Sequence, residues 1–281
     1  MYTQVIGKLR LALSPFEPQW ANVPLYVTAR GLTTSPMPID VRTLEGELDF
    51  IENVLVLRSS DGGIERHTLG GSVADFYDAV MRALAGLGME VTLSVVPSEV
   101  SDPIPFPADR THHTYDPAQA RRFWQVLAMI DSVFREHRAG FFGKTPPVSF
   151  FWGTFDLAVI RSSTRRVRPR AGAGIIERFG GTAEQICGGW WPGDAHYPHP
   201  AFYAYAWPKP AGVERASIRP RGAAWNTTIR EFLLPYAVVQ ASADPRAAIL
   251  EFLRSTYDIG AGMLGWPSDL TEVDAPDRPR D

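Results

Sequence analysis

Phe150-Phe151-Trp152-Gly153-Thr154-Phe155-Asp156-Leu157-Ala158-Val159-Ile160 reads as a buried strand with an acid at its centre. Strand side chains alternate faces. Phe151, Gly153, Phe155, Leu157 and Val159 then share one face, and Phe150, Trp152, Thr154, Asp156, Ala158 and Ile160 the other. A carboxylate among aromatics is costly to bury unless it is paired or protonated. Asp156 is therefore either a tied-down structural acid or a working one. On this reading it faces the same cavity as Trp152.

Working outward, Asp116-Pro117 opens a helix as N-cap and first helical residue. Its apolar stripe is Ala120, Phe123, Trp124, Leu127, Ile130 and Phe134, and it ends near Gly140 or Gly143. Further upstream, Ser72 with Asp75 three positions on is a capping pair. The spacing of Val73, Phe76, Val80, Leu84 and Leu87 predicts a helix closed by Gly88. Before it, Leu44 to Leu69 reads as a three-stranded meander turned at Asn53 and at Ser60-Asp61-Gly62-Gly63. Tyr2 to Leu13 fits a helix better than a strand, Val23 to Thr34 is β-rich, and Val91 to Val96 reads as a strand. Downstream, Arg161 to Gly181 reads as a long exposed loop, Ala201 to Trp207 as an aromatic strand and Ala216 to Arg219 as a short one. Thr227 to Val239 is of undecided type, and Pro245 to Met263 is a helix. The fold class is α+β: mostly antiparallel sheet with packed amphipathic helices, in two similar halves. The expected division is 1–101, 102–267 and a polar tail 268–281, with Asp102-Pro103-Ile104-Pro105-Phe106-Pro107 as the crossing.

Composition excludes several classes. The chain has 281 residues, 45% hydrophobic and 11% aromatic, with a net charge of −3. That balance lacks the basic footprint of a nucleic-acid binder. The lone Cys187 excludes an internal disulfide and fits a cytoplasmic location. No apolar run approaches the roughly 20 residues that span a bilayer, and the first residues lack a signal-peptide layout. Gly143-Lys144-Thr145 lacks the upstream glycine of a P-loop, and no Gly-x-Ser-x-Gly elbow is present.

Several stretches resemble one bacterial family, catalogued as domain of unknown function 5996. They include Gly7 to Leu13, Pro24 to Thr34, Ser72 to Tyr77, Asp102 to Phe106 and the spacing of His112 to Tyr115-Asp116. Further on are Phe150 to Val159, Trp191-Pro192-Gly193, Phe202 to Ala206 and Glu231 to Tyr236. The resemblance covers nearly the whole chain and implies no activity. It implies further residues ahead of Met1, tryptophans among them. It also implies a His-Glu pair where this chain has Ala183-Glu184, which lowers the expectation of a family-wide metal site here.

The candidate proton-handling residues are Asp156, His112 and Glu184. His112 lies in a Pro-rich approach to a helix start, suited to acid–base work. Glu184 precedes Gly188-Gly189-Trp190-Trp191-Pro192-Gly193, read as a turn, where tryptophans would raise its pKa. Arg30 and Lys144 are expected to orient an anionic group, Arg30 also being the natural ion-pair partner of Asp156. Tyr115, Trp152, Trp191, Tyr203 and Tyr205 are expected to line an aromatic pocket. No metal site and no cofactor are expected, because no His/Cys/carboxylate cluster has ligand spacing. The expectation is a cofactor-independent small-molecule enzyme using acid–base chemistry, of isomerase, cyclase, lyase or hydrolase type. A non-catalytic ligand-binding protein is the alternative, and a haem or metal protein with His112 as ligand stands behind both.

Overall fold

The capping chemistry read at Ser72 organises the first helix–sheet layer. Ser72 Oγ accepts from Asp75 N at 3.2 Å, and Asp75 returns a bond to Ser72 N at 3.0 Å. Helix α2 (Val73–Gly86) follows, burying Phe76, Val80 and Leu84. The computed structural model describes residues 1–271; of the stretch 268–281 expected to be a polar tail, Ser268–Leu270 form a short 3-10 helix and residues 272–281 lie outside the described residues. The chain forms two compact units. One holds residues 1–129 and 149–155, the other 130–148 and 156 onward. The division falls inside a helix rather than at residue 102, so segment 102–129 clusters with the first unit.

The first unit is built on α1 (Tyr2–Leu13), α2 and an antiparallel sheet. Its strands are β1 (Tyr26–Val27), β2 (Gly31–Thr33), β3 (Met37–Ile39), β4 (Arg42–Asp49), β5 (Val54–Ser59) and β6 (Ile64–Thr68). The order is β1-β2-β4-β5-β6, with β3 also on β4. The register Leu44↔Ser59, Gly46↔Leu57, Leu48↔Leu55 puts Leu44, Leu48, Leu55 and Leu57 on one buried face. α1 is buried nearly all round, so its polar residues need partners. Gln4 exchanges hydrogen bonds with the backbone of Ser98, and Lys8 donates to Ser98 Oγ at 2.7 Å. Arg10 reaches Ser35 Oγ and stacks on Tyr26. Val91 to Val96, read as a strand, is not one. The segment is fastened by single bonds, such as Phe106 N to Val95 O at 2.9 Å, and not by a ladder.

α3 (Pro117–Ala139) begins at Asp116 and runs from the first unit into the second. The aromatic stretch is not one strand. β7 (Ser149–Phe151) belongs to the first unit, where Phe150 bridges Leu25, and residues 152–155 form a turn. Phe155 carries the turn at φ 60°, and its N–H returns to Phe151 O at 2.8 Å. Alternation is therefore broken between Trp152 and Asp156. Trp152 donates to Val23 O at 2.8 Å and lies against α1 instead.

The second unit holds β8 (Asp156–Arg166), α4 (Ile175–Gly180), β9 (Ala183–Trp191), β10 (Ala201–Trp207), β11 (Ala224–Asn226), β12 (Glu231–Pro235), α5 (Tyr236–Gln240) and α6 (Pro245–Leu264). Its antiparallel order is β11-β12-β10-β9-β8. Three sequence readings change here. Arg161 to Arg166 continue β8 and residues 175–180 are helical, so 161–181 is not one loop. Gly188 to Trp191 lie inside β9, and Ala216 to Arg219 form no strand. Gly188 faces α6, where an added Cβ would meet Leu253 at 2.4 Å. Each unit thus combines one antiparallel sheet with packed helices, the α+β class. No described helix is long and apolar enough to cross a membrane.

Gly7 gives a test of the packing in the first unit. A Cβ there would sit 2.2 Å from Trp152 Cδ2. Helix propensity alone would make Gly7→Ala stabilising by about 1 kcal/mol. Overpacking against a buried indole instead costs about 1–3 kcal/mol. Gly7→Ala should therefore lower the urea midpoint, and a raised midpoint would show that the indole is not seated on α1.

Candidate functional site

Two groups of polar side chains stand out, one in each unit. In the first unit, the residues after the Pro-rich stretch are pinned to the start of α2. Val73 N–H donates to His112 O at 3.1 Å and Ala74 N–H to Asp109 O at 2.9 Å. The Asp109 carboxylate has no exposed surface. It accepts the His112 backbone N–H at 3.1 Å and lies 2.8 Å from His112 Nδ1. With Nδ1 facing the carboxylate, Nδ1 carries the proton and Nε2 is left as the acceptor. The imidazole itself is half-exposed.

His112 stands at the wall of a cavity of about 440 Å³ within this unit. Tyr2, Phe50, Tyr115, Phe123 and Phe155 give it aromatic walls; Leu32, Leu48, Leu69 and Val73 complete the apolar lining. Both tyrosine hydroxyls are committed elsewhere. Tyr2 donates to Gly71 O at 2.9 Å and Tyr115 to Asn53 Oδ1 at 2.7 Å. Burial, then the neighbouring Tyr2 and Asp116, push the Tyr115 hydroxyl up to about 12. The two rings stack at 5.1 Å. Phe155 stacks on Phe123 at 5.0 Å while holding its left-handed backbone. A bulky side chain in that region is strained. Thr3 Oγ1 is buried at this wall with no hydrogen-bond partner.

In the second unit, sheet register assembles the other group. Ala158 pairs Gly189, Gly189 pairs Tyr203, and Tyr203 pairs Leu233. Two residues further on come Ile160, Cys187 and Tyr205, with Glu231 next along β12. All of these share one face, and Asp156 opens it on β8. Tyr203 donates to Asp156 Oδ2. Its ring lies over Gly189, where a Cβ would approach to 2.2 Å, and Trp191 meets it edge-on. Burial pushes the Cys187 thiol up. Burial and the Asp156 charge raise Tyr203 well above its usual range; Cys187, then burial, do the same for Tyr205. Glu231 moves up to about 7 through burial and the Asp156 charge.

The remaining expected site residues have other partners. Arg30 pairs with Asp49 and Glu52 in the first unit, not with Asp156. It is thereby already neutralised, which removes its expected role towards an anion. Trp152 is a packing residue on α1. Glu184 accepts from Trp266 Nε1 at 2.8 Å and Ser163 Oγ at 3.2 Å, and Arg165 lies 3.0 Å away. Lys144 is exposed in the second unit, its backbone bridging Ser162. His113 bonds only its own loop, at Thr111 O. Of the basic loop, Arg161 is buried against Phe141 and Tyr257, and Arg170 pairs Glu177. His112 and Tyr115 are thus brought together, as are Asp156, Trp191, Tyr203 and Tyr205. His112 and Asp156, expected in one site, belong to different units.

Sequence reasoning missed Asp109 and Glu231. The signal for Asp109 was its place three residues before His112, close enough for a turn to fold it back. Glu231 carried no signal, since its face depends on a pairing with β10 that local pattern does not reveal. Among the described residues, no group of three or more His, Cys, Asp or Glu side chains is placed to hold a metal ion.

The fold and cavity define an α+β protein of two sheet-bearing units, the first enclosing an apolar pocket with a His–Asp pair on its wall. A family profile matches residues 1–273, and the chain belongs to the family of unknown function DUF5996. No curated protein and no solved structure matches it.

Glu231 yields a pH prediction. Its carboxyl titrates near 4.5 in the unfolded chain and about 7 in the folded one. The native state keeps a proton that the unfolded chain releases, so stability falls as pH rises from 4.5 to about 7. The cost is absent below this window and complete above it. Glu231→Gln should raise the stability at pH 8 by about 3 kcal/mol, with no gain at pH 4. Equal gains at both pH values would show that the carboxyl is not shifted.

Proposed function

We propose that this protein is a cofactor-independent enzyme performing acid–base chemistry on an apolar small molecule bound in the first unit's cavity. The carrying observation is the His112–Asp109 pair at the wall of that cavity. Asp109 holds the imidazole with Nδ1 protonated, so Nε2 takes a proton from a bound molecule. The buried carboxylate then faces an imidazolium and stabilises it. A positioned base of this kind contributes about 10²–10⁴-fold to a rate. The cavity volume falls in the range of small-molecule sites, roughly 300–1,000 Å³. The apolar walls would exclude water and strengthen the electrostatics of the pair.

The second unit's Asp156–Tyr203 pair supports a different role. Asp156 has a hydroxyl donor held against it, and its face packs on Trp191 and Leu233. That arrangement satisfies a buried acid, which is the structural side of the alternative set by the sequence.

The test is to incubate the full chain with a small-molecule extract and follow depletion by mass spectrometry. Wild type should consume a specific apolar species and release a new one. His112→Ala should slow this by at least about 10²-fold per folded molecule and also lower stability, because the buried Asp109 carboxylate loses its ring donor. Asp109→Asn should slow turnover comparably and also lower stability. A molecule that binds and is recovered unaltered, or turnover indifferent to His112, would sink the enzymatic reading and favour a binding protein.

A further inference from the structure

We propose that the molecule taken into the first unit's cavity is an apolar primary amine, bound as its ammonium ion. This rests on reading that cavity as the binding site. The argument starts from what the wall lacks. Among the described residues, no lysine or arginine side chain lines it. Met1 also lines it, with an apolar side chain. An anion entering this cavity would exchange water for apolar carbon and nearby carboxylates, an uncompensated desolvation.

What the wall offers suits a cation. The hydroxyls of Tyr2 and Tyr115 are committed to Gly71 and Asn53, so these residues present ring surface. With Phe50, Phe123 and Phe155 they supply π-surface of the kind that attracts an ammonium group. Beside Thr114 and Gln119, which can donate as well as accept, the polar lining includes three acceptors. His112 Nε2 has its lone pair free while Nδ1 faces Asp109. Thr3 Oγ1 is buried with no partner. Asp116 caps α3 through Oδ1, to Ala118 N at 2.8 Å and Gln119 N at 3.2 Å, and keeps Oδ2 for another donor. Three acceptors match the three N–H bonds of a primary ammonium. The chemistry that follows is a proton transfer: one N–H bond breaks, its electron pair stays on the amine nitrogen, and the proton forms a bond to His112 Nε2. The imidazolium is then held by Asp109, and the amine becomes a neutral nucleophile.

Three isosteric probes test this by calorimetry on the full chain at pH 7 and low salt: 3-phenylpropylamine, 3-phenylpropan-1-ol and 3-phenylpropanoate. The amine should bind at least tenfold tighter than the propanoate, with the alcohol between them. Asp116→Asn and Thr3→Val should each weaken the amine several-fold and leave the alcohol unchanged. Ala120→Trp, which fills the cavity, should abolish binding of all three. A propanoate that binds as tightly as the amine, or an amine that does not bind, overturns the proposal. Binding preference is read here without turnover, so the two readings fail separately. Amine preference with turnover indifferent to His112 sinks only the enzymatic reading. His112-dependent turnover with propanoate preference sinks only the amine.

Discussion

A carboxylate with no exposed surface must find donors or lose its charge, and Asp109 meets that constraint within three residues of itself. Its side chain takes the backbone N–H and the ring of His112, while its carbonyl takes an N–H from the first turn of α2. A helix start leaves four N–H groups without partners. Here the Ser72–Asp75 box serves some of them, and the loop carbonyls of Asp109 and His112 serve Ala74 and Val73. The loop is ordered because the helix needs it, and the helix start is satisfied because the loop is there. The orientation of the imidazole follows from both.

The same helix start shapes the cavity. Gly71 accepts the Tyr2 hydroxyl and Val73 supplies apolar wall. Once the hydroxyls of Tyr2 and Tyr115 are bound to Gly71 O and Asn53 Oδ1, two amphipathic side chains act as plain aromatic surface. The cavity is thus less polar than its residue list suggests. Among the described residues, the basic side chain that lines it is an imidazole held by a buried acid.

The second unit answers a different packing problem. Adjacent Gly188 and Gly189 point to opposite faces of β9. Leu253 of α6 approaches one and the Tyr203 ring covers the other. The face under α6 is apolar. The opposite face gathers Asp156, Cys187, Tyr203, Tyr205 and Glu231, where burial and the Asp156 charge disfavour further negative charge. The upward shift of Glu231 is the result.

Much of this was legible in local pattern. The Ser72 cap, the Asp116-Pro117 helix start and the meander from Leu44 to Leu69 follow from short-range chemistry, and the structure has them. His112 and Tyr115 were legible as residues at an element's end, since a Pro-rich approach leads into a helix start, and both line the cavity. The misreadings share one cause. Phe150 to Ile160 has the composition of a single strand, yet a left-handed Phe155 divides it. Val91 to Val96 has strand composition, yet finds no ladder. In both, distant partners decide whether a β-capable segment pairs.

The sequence by itself determined the α+β class, the main helices and the set of candidate polar side chains, because caps, periodicity and residue type act over a few positions. Only the tertiary structure decided which of those side chains meet. It gave Arg30 to Asp49, Glu184 to Trp266, Tyr203 to Asp156 and His112 to Asp109. A buried charge pairs with whatever donor the fold brings within about 3 Å, and that distance is set by strand register and helix packing between residues far apart in the chain.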